Sequence, residues 1–375
     1  TVSHLGYIKR VPLSTYRSQR RGGKGRGGMQ VREEDFVSRL FVASTHAPLL
    51  FFSSRGKVYK EKVWRLPLSA PQAKGKALIN ILPLDQGEII TTIMPLPENE
   101  AEWSGMQLMF ATTKGIVRKI ALDHYVEVRP SGLKAIKLEE GDSIAGVELC
   151  TDKNDILLTT RDGQCIRFPA DKTSLKKGRD TIGDFGIKLA EGDAVISMTV
   201  LAHIVATPEE RAAYLKRANA VRRGGEEDEE VAVEEDAEGE AEAAGAIELG
   251  EQRYVELSAA EQFILTISER GYGKRTSSHE YRITNRGGKG IVAMAIWEGK
   301  KGQEKIKDKI GRLVASFPVE ESDQVMLVTD AGKLIRTPVS GIRIAGRSTQ
   351  GVIVLNTAED ERVVSVERLS EEEGD

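Results

Sequence analysis

Short runs of apolar residues, rich in β-branched side chains, recur along the chain, and each is closed by a turn. Runs of this length between turn residues are typical of strands buried on both faces. The runs are LLFFSS at 49–54, MQLMFATT at 106–113, DILLTT at 155–160, QFILTI at 262–267 and QVMLVT at 324–329. A turn containing glycine and a second strand-like run follow each one. This predicts β-hairpins, because tight hairpin turns need the positive φ that glycine adopts.

The hairpins form a repeat. Their glycines are Gly6, Gly56, Gly115, Gly163, Gly271 and Gly332, and the spacings between them are 50, 59, 48, 108 and 61 residues. The longest spacing contains a 55-residue segment of different composition, residues 206–260, and falls to 53 without it. A period of about 50 residues is that of four-stranded propeller blades. We therefore predict an all-β, propeller-like domain of about 24 strands, formed by residues 1–205 and 261–369. Its six blades are predicted near 1–40, 41–97, 106–150, 155–201, 262–319 and 324–369.

A basic residue lies four positions after each hairpin glycine. These residues are Arg10, Lys60, Lys119, Arg167, Arg275 and Arg336, and the neighbouring cations are Lys9, Lys57, Arg118, Lys274 and Lys333. Because every repeat brings a cation to the same place, the pattern predicts a basic rim that binds the phosphates of a long polyanion. For any single position, an ordinary solvated strand residue is an equal alternative. Weaker candidates are Arg65, Lys76, Lys172, Lys176, Lys177, Arg179, Arg282, Arg343 and Arg347.

The charge is distributed unevenly. The chain has a formal net charge of -3, but residues 206–260 hold 16 acidic and 6 basic residues, and the tail 370–375 has a net charge of -4. The repeat body is therefore basic, with a net charge of +11. Within 206–260, Thr207-Pro208 predicts the start of a short helix. The stretch 224–245 is expected to be a flexible acidic loop because it lacks aromatic residues.

Other features narrow the class of protein. No apolar run is long enough for a transmembrane span, so no membrane partner is expected. Cys150 and Cys165 have neither metal-binding nor redox spacing and are expected to fill strands. These features predict a cytoplasmic protein without a metal or cofactor site in this segment.

A second basic motif lies in the first repeat. It reads Gln19-Arg20-Arg21-Gly22-Gly23-Lys24-Gly25, and a partial copy, residues 286–290, occupies the equivalent place in the fifth repeat. Glycines let the backbone approach a phosphate closely, and the basic side chains supply charge and hydrogen-bond donors. The motif lacks the Lys-Ser/Thr pair and the following helix of a P-loop, so a nucleotide site is not predicted. A disordered RGG-type RNA-binding segment is the alternative.

The string QRRGGKG at 19–25, preceded by GYIKRVPLSTYRS, resembles the signature box of the C-terminal domain of the DNA gyrase A subunit. The resemblance implies a six-bladed β-pinwheel whose neighbouring blades exchange strands. It also implies non-specific binding and chiral wrapping of double-stranded DNA, with the box completing the wrap. The family uses this wrapping for ATP-dependent negative supercoiling by a bacterial, nucleoid-associated A2B2 enzyme. Its catalytic tyrosine lies in the amino-terminal part of the A subunit, while the ATPase, with its ATP and Mg, lies in the B subunit. The segment alone is therefore expected to be non-catalytic.

Two alternatives remain open at this level. One is the C-terminal domain of the topoisomerase IV ParC subunit, which has the same fold with a degraded box and weaker wrapping. The other is a propeller that binds proteins through its channel or a loop face. DNA binding that weakens with salt would argue against the second, because phosphate contacts release counterions.

We expect the acidic loop and the acidic tail, residues 370–375, to compete with DNA for the basic rim. Deleting residues 224–245, which contain eleven acidic and no basic side chains, should tighten DNA binding at low salt. The difference should shrink at high salt in mobility-shift titrations. Equal affinities at low salt would reduce this stretch to a spacer.

Overall fold

The computed structural model describes residues 1–12, 35, 37–39, 41–181, 183–222, 247–296, 310–331 and 333–369. Within these ranges the chain forms 24 strands and two α-helices. Strands β1 to β24 span, in order, Val2–Ser3, Tyr7–Ile8, Val37–Arg39, Pro48–Ser53, Lys57–Lys62, Lys76–Ala77, Ile90–Pro95, Gln107–Thr112, Ile116–Ala121, Leu133–Lys134, Ile144–Cys150, Asn154–Thr160, Gln164–Pro169, Leu175–Lys176, Asp184–Phe185, Val195–Ala202, Phe263–Ser268, Tyr272–Ser277, Ile291–Val292, Leu313–Val319, Gln324–Thr329, Leu334–Pro338, Val352–Ile353 and Val363–Leu369.

The strands form six small sheets, one for each predicted blade. From the innermost strand outward, the first five are β3-β1-β2-β6, β7-β4-β5-β10, β11-β8-β9-β15, β16-β12-β13-β19 and β20-β17-β18-β23. The sixth is β24-β21-β22 in the described residues. The all-β six-bladed prediction is confirmed.

Neighbouring blades exchange strands. The outermost strand of each of the first five sheets belongs to the next repeat along the chain: β6 pairs with β2, β10 with β5, β15 with β9, β19 with β13 and β23 with β18. In the third blade, β14 also pairs with β9, in the parallel direction. In the described residues, the first five repeats therefore do not complete their own sheets, and each depends on its successor.

The innermost strands close the ring. The strands β7, β11, β16, β20, β24 and β3 contact one another in that order. Between the first and second blades, Arg39 Nη2 donates a hydrogen bond to the carbonyl of Thr91 at 2.8 Å. Between the sixth and first blades, His4 Nδ1 lies 3.6 Å from a carboxylate oxygen of Glu367. The first and last repeats are thus neighbours in space.

The hydrophobic cores lie between blades rather than inside them. On β4, Leu50 and Phe52 pack towards the third blade, while Leu49 and Phe51 pack towards the first. All four side chains are fully buried. This is why the strand reads as a continuous apolar run: successive side chains alternate between two buried faces. Phe52 meets Phe110 of the third blade edge to face, with ring centroids 5.5 Å apart.

The hairpin glycines admit the exchanged strand. Gly163 has φ +84°, and a Cβ there would lie 2.8 Å from the carbonyl oxygen of Met294. Gly271 has φ +77°, and its Cβ would lie 2.1 Å from the oxygen of Leu355. Each carbonyl belongs to the next repeat, so glycine is required both for the turn and for the close approach of the exchanged chain.

Residues 206–260 begin and end with helices. Helix α1 spans Pro208–Arg222, and the predicted cap is present, because Thr207 Oγ1 accepts from Glu210 N at 3.2 Å. A second helix, α2, spans Glu251–Ala259 and is absent from the sequence prediction. Tyr214 of α1 packs on His279 of the fifth blade, with ring centroids 4.9 Å apart. Residues 224–245 lie outside the described residues.

Arg167 joins the fourth blade to the fifth. It is 3% exposed, and its Nε donates to Asp155 Oδ2 at 2.9 Å. Nη1 donates to the carbonyl of Ser278 in the fifth repeat at 2.7 Å, and Nη2 donates to that of Ala202 at 3.0 Å. Desolvation lowers the pKa of Arg167, and the Asp155 carboxylate opposes that shift. The side chain is a link between blades.

Replacing Arg167 with alanine should lower the free energy of unfolding by about 3–5 kcal/mol, because Asp155, fully buried, loses its guanidinium partner. Urea denaturation monitored by circular dichroism measures this loss. Arg343→Ala, which removes an exposed cation, should leave the unfolding midpoint unchanged. Weaker DNA binding by Arg167→Ala with unaltered stability would contradict the assignment and support the phosphate contact predicted from the sequence.

Candidate nucleic-acid interface

The residues predicted from the sequence divide into three groups in the structure. The box, Gln19 to Gly25, lies outside the described residues. In the sequence it falls between β2 and β3, where every later repeat has its exchanged strand. The eleven predicted rim cations are all described, and they divide into buried and solvent-accessible side chains.

In the first five blades, the cation four residues after the glycine binds the neighbouring blade. Like Arg167, Lys119 is buried and donates to the carbonyl of Ala170 at 3.0 Å and to Asp152 at 2.6 Å. Arg275 is 6% exposed and donates from Nε to the carbonyl of Ile342 at 2.6 Å. These carbonyls flank or belong to a short 3₁₀ turn of the following repeat. The recurrence of a basic residue here therefore has a structural cause: each cation caps backbone carbonyls across a blade boundary.

Arg10 and Lys60 also bind the neighbouring blade but are more exposed, whereas Arg336 does not bind a neighbouring blade. Arg10 Nε donates to the carbonyl of Leu66 at 3.0 Å, and Lys60 Nζ donates to that of Val126 at 2.6 Å. Lys60 also pairs with Glu100 at 2.7 Å. Arg336, in the sixth blade, is exposed and donates to Gln324 Oε1 within its own sheet at 2.5 Å.

Three neighbouring cations are buried against backbone carbonyl oxygens, three carbonyls each for Lys9 and Lys274 and one for Arg118. Lys274 Nζ donates to the carbonyls of Gly346 and Thr349, both at 2.8 Å, and contacts that of Arg347. Burial lowers the pKa of Lys274 to about 7. Two further buried side chains donate to backbone in the same way. Lys9 donates to the carbonyls of residues 70, 71 and 73, and Arg118 donates to the carbonyl of Arg179. All three bind backbone that leads into the exchanged strand of the next repeat.

The predicted rim is therefore corrected. Six of its cations, Lys9, Arg118, Lys119, Arg167, Lys274 and Arg275, are at most 6% exposed, and backbone carbonyls accept from them. A phosphate group cannot reach these side chains in the folded ring. Lys57 and Lys333 are accessible but form ion pairs at 2.6 Å with Asp85 and Glu361. The hydrogen bond from Lys333 is the largest of the causes that lower the pKa of Glu361 to about 2.

Accessible positive charge lies instead on the segments that carry the exchanged strands. We call residues 66–82, 127–138, 172–189, 281–296 and 342–356 the exported segments. Together they contain 15 basic and three acidic residues. The turns that follow four of them, residues 83–89, 139–143, 190–194 and 357–362, contain ten acidic residues and one basic residue. Because the exported segments supply the outermost strands, the edge of the ring is strongly basic.

Sequence reasoning found only part of this edge. Of the weaker candidates, Lys76, Lys172, Lys177 and Arg343 are exposed on exported segments, whereas Lys176, Arg179 and Arg282 are half-buried and Arg347 is buried. Arg65 is exposed but lies on a 3₁₀ turn. The exposed cations that were missed include Arg129, Lys134, Lys137, Lys188 and Lys289. The signal that could have found them is the scarcity of acidic residues in the third element of each repeat.

The described ranges contain no group of three or more histidine, cysteine or acidic side chains placed to hold a metal ion. Neither described helix is long and apolar enough to span a membrane.

The chain matches the family model described as DNA gyrase C-terminal domain, beta-propeller. The match covers residues 1–44, 47–97, 107–151, 154–202, 262–320 and 323–370. These six stretches correspond to the six repeats, and they leave out the whole helical insertion, residues 206–260.

Curated relatives agree with the family model. The chain is 47% identical over 371 residues to the DNA gyrase A subunit of Granulibacter bethesdensis, a match that covers 98% of this chain and 38% of the relative. It is 46% identical over 371 residues to that of Rickettsia prowazekii, covering 99% of the chain and 39% of the relative. The corresponding protein from Escherichia coli is 38% identical over 371 residues, with 99% and 34% covered. The chain thus spans somewhat over a third of the length of these relatives.

Solved structures support the fold. The C-terminal domain of DNA topoisomerase IV superposes with a TM-score of 0.70 at 22% identity, covering 98% of this chain and 91% of that one. The DNA gyrase A C-terminal domain superposes with a TM-score of 0.59 at 21% identity, with 98% of both chains covered. With the six matched repeats and the identity to gyrase A subunits, these findings show that the chain belongs to the DNA gyrase C-terminal domain family.

Proposed function

We propose that the chain binds double-stranded DNA without sequence preference and wraps it around the edge of the ring. The observation that carries the proposal is the segregation of charge, with 15 basic and three acidic residues on the exported segments. A basic stripe on the outermost strands is the electrostatic footprint expected for a polyanion that follows a curved path. Lysine and arginine at the phosphates position the duplex but do not read its sequence.

The energy of bending explains why the contacts must be distributed. Smooth bending of a 20–30 base-pair segment through 40–90° costs on the order of 1–6 kcal/mol. A single basic site cannot hold a duplex against that cost over a long path. Exported segments recur at five of the six described blades and offer contacts at regular intervals, as in other wrapping that proceeds without base-specific contacts.

The box is proposed to complete this path. Five of the six described sheets receive an outermost strand from the next repeat, and the described part of the sixth sheet ends at β22. The first repeat follows the sixth around the ring, and its segment at the exported position includes Gln19 to Gly25. We infer from this position in the sequence that the box adds to the basic edge.

We further propose that the wrap serves ATP-dependent negative supercoiling by a type IIA topoisomerase. The relatives named as gyrase A subunits, of which this chain matches somewhat over a third, support that setting. In this proposal the chain sets the path of the wrapped DNA and the handedness of the wrap. It does so in the bacterial cytoplasm, at the nucleoid. Cleavage is contributed by the amino-terminal part of the A subunit, and ATP hydrolysis with its Mg by the B subunit, in an A2B2 assembly. No cofactor is proposed for the chain itself.

Replacing Arg20, Arg21 and Lys24 together with alanine should abolish supercoiling by the reconstituted holoenzyme and spare relaxation and cleavage. The physical reason is that the wrap loses its closing contact while the catalytic parts are untouched. Plasmid topology assays measure all three activities. The matched control replaces the exposed Arg55, Lys114 and Arg362, which lie at turns between strands, and makes the same change in charge. Loss of all three activities in the box variant would refute the assigned role.

Replacing Lys76, Lys134 and Lys289 with alanine should weaken DNA binding and reduce the salt dependence of binding. Each lost phosphate contact lowers the slope of log K against log salt by about 0.9. Fluorescence anisotropy with a duplex at several salt concentrations measures both quantities. An unchanged slope in this variant, or salt-independent binding by the original chain, would exclude the exported segments as the phosphate-binding surface.

A further inference from the structure

Phe185 is an aromatic side chain presented to solvent in the middle of the basic edge. It lies on β15, the outermost strand of the third blade, and 68% of its surface is exposed. We propose that Phe185 is an apolar wedge that enters the minor groove of the wrapped duplex and bends it at this blade. The inference rests on the proposed DNA binding and adds a contact of a different chemical kind.

The backbone on either side of Phe185 is held against β9. Phe185 is paired with Ile116 and Asp184 with Val117 in an antiparallel ladder. A Cβ on Gly183 would lie 2.4 Å from Ile116 Cγ2, and one on Gly186 would lie 2.6 Å from Leu158 Cδ1. Both flanking positions thus need glycine for the strand to lie flat on the sheet. The aromatic side chain is presented on a regular strand and not on a loop.

The partial copy of the box in the fifth repeat supports this strand. Arg286 Nη1 donates to the carbonyl of Phe185 at 3.3 Å, and its Nε donates to that of Lys172 at 2.9 Å. Gly287 N donates to the carbonyl of Gly186 at 2.7 Å. Arg286 Nη2 also lies 3.7 Å from Asp184 Oδ1. Arg286 is therefore a positioning residue: its donors hold the strand that carries Phe185.

The charges around Phe185 identify the class of partner. Residues 171–188 and 285–290 contain seven basic and three acidic side chains. Each acidic side chain is in an ion pair: Asp171 with Lys172, Asp180 with Lys134 and Asp184 with Lys176. Lys172, Lys177, Lys188 and Lys289 are exposed. An aromatic side chain among accessible cations is the combination that binds nucleic acids, and apolar wedges in the minor groove kink duplexes.

An aromatic side chain occupies this place on one of the five described outermost strands. The positions equivalent to Phe185 on the other four outermost strands are Ala77, Lys134, Val292 and Ile353, none of them aromatic. The phosphate contacts recur around the edge, whereas the aromatic contact occurs once among these five strands. A sharper local bend is therefore expected where the duplex crosses the third blade.

The test compares Phe185→Ala and Phe185→Leu with Ile353→Ala, which removes an apolar side chain of similar exposure, 53%, at the equivalent place in the fifth blade. The probe is a relaxed plasmid for topology and a linear duplex for affinity. Phe185→Ala should weaken duplex binding about tenfold with an unchanged salt slope, because no phosphate contact is lost. It should also reduce the writhe constrained per bound chain. The affinity and the constrained writhe of Phe185→Leu should lie between those of Phe185→Ala and the original chain. Both quantities in Ile353→Ala should equal those of the original chain.

A contrasting variant separates this inference from the proposed function. Replacing Lys172, Lys188 and Lys289 with alanine should lower the salt slope by up to about 3 while Phe185 remains in place. If Phe185→Ala and Ile353→Ala have equal affinity and constrain equal writhe, the proposed wedge is refuted, while the proposed DNA wrapping still stands. Absence of duplex binding by the unaltered chain would overturn both. Thermal melting of each variant controls for folding, and the exposed Phe185 predicts no shift.

Discussion

The structure depends on the exchange of strands between consecutive repeats. A three-stranded sheet such as β7-β4-β5 is completed at its outer edge only when the next repeat supplies β10. The supplying chain is held at two points, by hydrogen bonds to the hairpin glycine carbonyl and by a basic side chain inserted into its loop. At the second blade, Ala135 N donates to the carbonyl of Gly56 at 2.7 Å. Because each of the first five blades relies on its successor, the ring is a cooperative unit although its cores are separate.

Strand exchange also separates the basic residues of the exported segments from the acidic residues of the turns that follow them. The exported segments pass across the outer edge, where side chains that do not face a neighbouring blade are free to be basic. The acidic turns that follow are held by basic residues of the hairpin turns: Lys114 Nζ donates to the carbonyl of Glu140 at 2.6 Å, and Arg161 Nη2 donates to that of Gly192 at 2.7 Å. The negative charge of the acidic turns thus lies close to basic residues of the hairpin turns. The positive charge of the exported segments that has no such partner remains at the outer edge. A rigid ring with this distribution would impose curvature on a bound polyanion rather than only attract it.

The helical insertion leaves the ring intact because both of its ends are held at the boundary of the fourth and fifth blades. Arg253 of α2 pairs with Glu210 of α1 at 2.9 Å, and Ala202 N, at the end of β16, donates to Gln262 Oε1 at 2.8 Å. Tyr214 lies between Tyr254 and His279. Extra chain of very different composition can therefore enter between repeats while β16 and β17 keep the spacing of neighbouring blades.

The sequence by itself determined the hairpins, the number of blades, the place of the insertion and the cap at Thr207, because these follow from local periodicity and local turn chemistry. It also predicted a basic ring, but six of the eleven cations that it assigned to the rim are buried. Whether Arg275 meets solvent or the carbonyl of Ile342 depends on a residue 67 positions away, which only the tertiary structure brings within 2.6 Å. Helix α2 was missed because its stability comes from packing Leu257 under α1 and not from a local signal. The exposure of the exported cations and of Phe185 likewise could not be read from the sequence, because strand exchange places them on the outer edge. Burial is a property of the closed ring and not of any one repeat.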